Sequence, residues 1–344
     1  MTVTFVFVAP LIVAGLSLLA VGTTTRVAGP RSQQQRGPGQ RLGHSLVFDE
    51  HRRGIVLPDG NWPQSDHARS DLWRWDGRRW ERLAVTDSPA TWMGAAASDS
   101  RRRRVVSHGG RDRRGAVGAL WEWEGGERRR AADSTPGARF HHAMAYDAAR
   151  GRVVMYGGAV GSRWDTSTWE WDGSVWTRLD VAGPGPRAAF RMVYDGKRRV
   201  VVLFGGLGPP DGDGRQRYLA DTWEWNGVAW RKASDGGPPG RRDYSIAFDE
   251  RRGVVLLYGG GAGSGPAPQR LDDMWQWDGE TWREIPRRAP TPGHRYVSAM
   301  AYDRARDRTV LYGGYTCDRD TSQCGVADDT WEWDGARWMR VGER

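Results

Sequence analysis

The chain has two cysteines, two lysines and seven histidines among 344 residues, and each scarcity excludes something. Cys317 and Cys324 stand together in one segment, so neither a multi-bridge disulfide scaffold nor a cysteine-rich zinc module can be built. Six intervening residues allow a hairpin loop closed by a disulfide in an oxidising compartment, or a free thiol pair in a reducing one. The histidines (44, 51, 67, 108, 141, 142 and 294) show no ligand spacing beyond one adjacent pair, so no metal and no cofactor is expected. Few stretches have helical periodicity. The formal charge is +9, but the basic residues are almost all Arg and are scattered rather than gathered into a block, which argues against nucleic acid as a partner.

What is abundant is Trp (20), Gly (47) and Pro (18), a composition suited to many short strands and tight turns. Residues 5–21, FVFVAPLIVAGLSLLAV, form an uncharged apolar run. Residues 1–22 therefore read as a signal peptide, with small residues at Ala20 and Gly22, or as an uncleaved membrane tether. Arg26, Arg31 and Arg36 after the run would favour the cytoplasmic side for an anchor. No Cys follows to carry a lipid, and no twin-Arg pair precedes. Residues 23–40 read as a flexible linker, and the folded part is placed at 41–341, outside the cytoplasm and monomeric.

A Trp-x-Trp pair recurs six times, at 73/75, 121/123, 169/171, 223/225, 275/277 and 331/333. Five copies add a third Trp five residues on (80, 176, 230, 282, 338), where the second copy has Arg128. An Asp-Gly or Asn-Gly hairpin signal lies between in most copies, as in WEWDGSVW. Upstream, an Asp is followed ten residues later by Gly-Gly, as in Asp147 to Gly157-Gly158; the first copy keeps Asp49 but has Asp59-Gly60. Each repeat thus predicts four short strands, two before Gly-Gly and two around the Trp residues. The implied architecture is all-β, a six-bladed β-propeller with four antiparallel strands per blade, at about 41–85, 90–132, 138–181, 186–233, 240–286 and 294–341. The Trp stripe is expected to fill the wedges between blades, and the weakest seam is expected between the first and last.

Gly-Gly after an apolar strand, followed twelve to eighteen residues on by an aromatic pair, resembles the kelch repeat over residues 41–341. That resemblance implies a propeller around a central channel. Galactose oxidase is the best-known enzyme with kelch-like blades, but its copper-radical site needs a Cys cross-linked to Tyr. This chain keeps its only cysteines in one outer loop, so that activity does not carry over.

Eight residues before the marker Asp stands an Arg in five of six repeats, Arg41, Arg139, Arg187, Arg241 and Arg295, with Thr91 in the second. Two readings follow. The five guanidinium groups ring one channel mouth and bind an anionic ligand, or they pair with Asp71, Asp221, Asp273 and Asp329, which recur two residues before the first Trp. In the second repeat both partners are missing, but the third keeps Arg139 opposite Ser167. No catalytic constellation is legible, so the expected function is a non-enzymatic extracytoplasmic binding or scaffold module that recognises a protein or glycan through its loop face. The competing expectation is a propeller enzyme, a lyase, hydrolase or copper oxidase acting on an anionic saccharide.

Overall fold

The computed structural model describes residues 37–58, 60, 69–131, 136–263, 269–317 and 324–342. The expected leader and most of the linker lie outside the described residues; within the linker, Pro38 is buried and the Gly39 carbonyl accepts a hydrogen bond from the Tyr312 hydroxyl at 2.7 Å. The architecture is all-β, with no helix among the described residues and six four-stranded antiparallel sheets whose strands follow one another in chain order, interrupted in three of them by a short hairpin that forms a separate small sheet. The third sheet is representative: Ala143–Asp147, Arg152–Tyr156, Thr168–Trp171 and Trp176–Leu179. The first strands of the others are Val47–Asp49, Ala95–Asp99, Arg191–Asp195, Ser245–Asp249 and Ala299–Asp303.

The marker Asp ends each first strand because its carboxylate organises the turn that follows. In all six sheets it pairs with the Arg three residues on, as in Asp147 with Arg150 at 2.6 Å and Asp303 with Arg306 at 2.7 Å. In all six it also accepts the backbone N–H at that position, as in Arg102 to Asp99 at 3.0 Å. One residue later the chain enters the left-handed region, at Arg53, Arg103, Gly151, Arg199, Gly253 and Asp307. The Asp-Gly and Asn-Gly turns work similarly, with Asp172 Oδ1 accepting the N–H groups of Ser174 and Val175 while Gly173 takes a φ of +100°.

The apolar core is divided among the interfaces between successive sheets. Trp225 and Trp230 of the fourth sheet pack with Ala143, Val154 and Tyr156 of the third, and Trp277 and Trp282 of the fifth with Val202 and Phe204 of the fourth. Hydrogen bonds repeat across these interfaces: the Trp230 indole donates to Thr168 Oγ1 and the Trp282 indole to Thr222 Oγ1, both at 2.9 Å. The first and sixth sheets meet in the same way, with Trp80 donating to Thr330 Oγ1 at 2.8 Å and with Leu46, Trp75, Ala299 and Val310 in one cluster. The thinnest cluster lies elsewhere, between the first and second sheets, where its four buried members are Val56, Leu72, Val105 and Trp123. There Arg128, in the place of the missing third Trp, stacks its guanidinium over Trp121 at 4.2 Å. The seam expected to be weakest is packed like its neighbours, and the loss of one Trp moves the thin place one interface along.

Candidate functional site

The five repeated Arg residues sit in the segments leading into the first strands, and all are buried, with 0–5 % exposure. Each forms an ion pair: Arg41 with Asp71 (2.8 Å), Arg139 with Asp165 (2.9 Å), Arg187 with Asp221 (2.9 Å), Arg241 with Asp273 (2.6 Å) and Arg295 with Asp329 (2.6 Å). Further donors reach the glycine carbonyls, as in Arg241 to Gly259 at 2.9 Å and Arg295 to Gly313 at 2.8 Å. Four of the aspartates also accept the indole N–H of the Trp two residues on, which accounts for the Asp-x-Trp spacing. Burial pushes the carboxyls of Asp221, Asp273 and Asp329 up, but hydrogen bonds and charge from Arg187, Arg241 and Arg295 outweigh it and hold them below the usual carboxylate range.

Sequence reasoning missed Asp165, because it lies four residues before Trp169 instead of two. Its Oδ1 accepts from the backbone and hydroxyl of Ser167, both at 2.6 Å, and Ser167 Oγ accepts the Trp169 indole at 2.8 Å. Two residues thus divide the work that one Asp does elsewhere.

Two residues beyond each of these positions comes a feature with no side-chain signature. Gly43, Met93, His141, Ala189, Asp243 and Val297 all have φ between +55° and +60°. Each donates its backbone N–H to the carbonyl of the one before it: Met93 to Gly43 (2.8 Å), His141 to Met93 (2.9 Å), Ala189 to His141 (2.9 Å), Asp243 to Ala189 (2.9 Å) and Val297 to Asp243 (2.7 Å). Gly43 donates to Val297 at 3.0 Å, and the cycle returns to its start. Left-handed backbone costs a non-glycine residue on the order of 1–2 kcal/mol, most for a β-branched one such as Val297, and such strain collects where function is built.

Around this cycle the segment just before five of the six members pairs with the stretch that joins the second and third strands. Trp92 bridges to Arg111, Phe140 to Ala159, Ala188 to Leu207 and Arg242 to Gly261, while Tyr296 pairs with Tyr315. Aromatic and cationic groups are thereby held together, partly exposed: Arg111 over Phe140 at 4.9 Å, Tyr296 against Tyr315 at 5.3 Å, and Arg270 over Tyr315 at 6.0 Å. His141 and Asp243 flank the small Ala189, with Nδ1 and Oδ1 3.8 Å apart. Burial lowers the His141 imidazole below its ordinary value; Asp243 opposes this, and the charges of Arg191, Arg242 and Arg111 reinforce it. His141 is therefore neutral at pH 7.

The first strands of all six sheets line one cavity of about 770 Å³. The residue before the marker Asp is aromatic in five of them, Phe48, Tyr146, Tyr194, Phe248 and Tyr302, and Arg304 joins Glu50 to Glu250 at that end. His142, the remaining member of the adjacent pair, is buried with its Nε2 3.4 Å from Nδ1 of His108. Cys317 and Cys324 form a disulfide that closes the loop over 318–323, which lies outside the described residues. No family model matches the chain, and no curated protein matches it either.

Proposed function

We propose that the six sheets are the blades of a six-bladed β-propeller of the kelch type, and that the molecule is a non-enzymatic recognition module acting outside the cytoplasm. The returning cycle of six backbone hydrogen bonds and the Trp80–Thr330 bond support the blade reading. The Cys317–Cys324 disulfide supports an oxidising compartment.

One observation carries the functional reading. Trp92, Phe140, Tyr296 and Tyr315 stand partly exposed with Arg111, Arg242 and Arg270 on one rigid rim, a residue mixture that dominates binding energy in recognition surfaces. The five repeated Arg residues support that rim from beneath rather than meet the ligand, because their donors are directed at Asp and glycine carbonyls. The partner is a protein or glycan. Screening the purified chain against a glycan array and a displayed library of secreted domains tests this. Trp92→Ala and Tyr296→Ala are expected to weaken any ligand found at least tenfold without shifting the melting temperature, while Lys232→Ala on an outer strand leaves binding unchanged. Binding that survives both rim substitutions would place the recognition surface elsewhere.

The His141–Asp243 pair favours a second reading, an enzyme acting on an anionic saccharide with neutral His141 as base. That reading requires turnover of a uronate-containing oligosaccharide, and its loss in His141→Ala.

A further inference from the structure

Four residues before the marker Asp, at or just ahead of the start of the first strand, five of the six sheets carry a small side chain: Ser45, Ala95, Ala143, Ser245 and Ala299. The fourth sheet carries Arg191. These positions line a second, smaller cavity of about 70 Å³ shared by the first strands of all six sheets. Arg191 is thus the one long cationic side chain at a level where every other sheet has been kept short.

Its charge has no carboxylate partner among the described residues. Arg191 takes part in no ion pair recorded among the described residues, and its guanidinium donates only to the neighbouring Phe190 carbonyl, at 3.3 Å. The buried Arg residues one turn of chain away are each matched to a carboxylate within 3 Å. Arg191 is partly exposed, so water meets part of its charge, and an anion in the cavity would replace that water with charge-assisted hydrogen bonds. The same cavity is lined by Ser245, whose hydroxyl lies 2.8 Å from that of Ser298, and by His142, which is 1 % exposed and has an Nδ1 without a hydrogen-bond partner. Polar groups from three sheets therefore line one space, large enough for a small ion or a few waters at the roughly 10–15 Å³ each water requires.

We propose that Arg191, with Ser245 and His142, forms an internal binding site for a small oxyanion (carboxylate, phosphate or sulfate), independent of the rim described above. The anion oxygens take the free guanidinium N–H groups of Arg191, and the Ser245 hydroxyl and neutral His142 ring supply further donors.

Selenate soaked into crystals of the full chain tests this directly, since its anomalous signal locates the ion without any substitution. A peak within hydrogen-bond distance of the Arg191 guanidinium is expected; peaks confined to surface arginines would mean an adventitious ion only and would overturn the proposal. Melting curves at constant ionic strength supply the second arm. Phosphate, sulfate or acetate replacing an inert zwitterionic buffer component should raise the wild-type melting temperature with the logarithm of its concentration. In Arg191→Ser, which installs the residue that two other sheets already carry, the rise should vanish while the fold persists. An equal rise in wild type and variant would sink the proposal, as would no rise at all. Comparing acetate with phosphate and sulfate separates a carboxylate site from an inorganic oxyanion site.

Discussion

The Arg241–Asp273 pair shows how much depends on single buried contacts. Arg241 is fully buried, with its donors shared between Asp273 and the Gly259 carbonyl, so Arg241→Ala strands a carboxylate and a carbonyl together. A loss of about 3–5 kcal/mol is expected from calorimetry, with Asp273→Asn smaller because the Trp275 indole keeps an acceptor. Two groups of residues set the response to acid. His44 and His108 are held down to about 3, by burial first and then by the charges of Arg41 and Arg139. Below about pH 6.5 the unfolded chain binds protons that the native histidines refuse, so stability falls by on the order of 1 kcal/mol per pH unit per histidine as pH drops toward 3. The lowered carboxyls of Asp221, Asp273 and Asp329 add their loss only below about pH 4, where the unfolded carboxylates protonate. A stability profile against pH should therefore show two slopes. His142→Phe, which copies Phe190 of the next sheet, is expected to fold and to flatten the upper one, since burial holds His142 well below its ordinary value too.

At the scale of the element, the double glycine explains itself once the lead-in segment is placed. Gly260 has a φ of +102°, and a Cβ there would come within 2.8 Å of the Arg242 carbonyl. Gly260→Ala is expected to cost about 1–3 kcal/mol, as chemical denaturation would show. The second glycine also donates to the following sheet in most repeats, as in Gly206 to the Arg241 carbonyl at 2.9 Å and Gly314 to that of Arg41 at 3.0 Å. Turn, ion pair and neighbour are thus one joint. The second sheet shows what happens when a repeat drifts: with Thr91, Ala119 and Arg128 it lacks both the ion pair and the third Trp. Arg128→Trp restores the residue found in the other five and is expected to stabilise the thin first interface by about 1 kcal/mol, read from the melting curve. A destabilised variant would show that the stacked guanidinium already fills that wedge as well as an indole can.

For the whole molecule, the contact between the first and last sheets decides whether the chain behaves as a closed assembly or as a row with ends. Thr330→Val removes the partner of Trp80, and Thr168→Val and Thr222→Val remove those of Trp230 and Trp282. All three are expected to cost about 1 kcal/mol each in a single cooperative transition. A Thr330 variant that melts in two steps, or costs much less than the others, would mean that the seam is loose.

Much of this was written in the sequence. The spacing of Asp, Gly-Gly and Trp-x-Trp determined six four-stranded units, because strand alternation and turn chemistry are local and repeat with the chain, but not every boundary: in the fourth and fifth sheets the second strand runs on past Gly-Gly to Gly208 and Ala262. The choice between ligand and ion pair for the five Arg residues was half legible, since the Asp partners recur at a fixed offset, but Asp165 breaks that offset and was found only where the third sheet's loop folds back. The cycle through Gly43, Met93, His141, Ala189, Asp243 and Val297 left no trace in residue type, because a hydrogen bond between backbone groups of neighbouring sheets accepts any side chain. Arg191 was passed over as one of many scattered arginines; only the tertiary structure, by bringing six distant strand starts around one space, shows that it stands among small residues without a carboxylate. Local physics fixed the units, and their long-range assembly decided which side chains are spent on structure and which are left to bind.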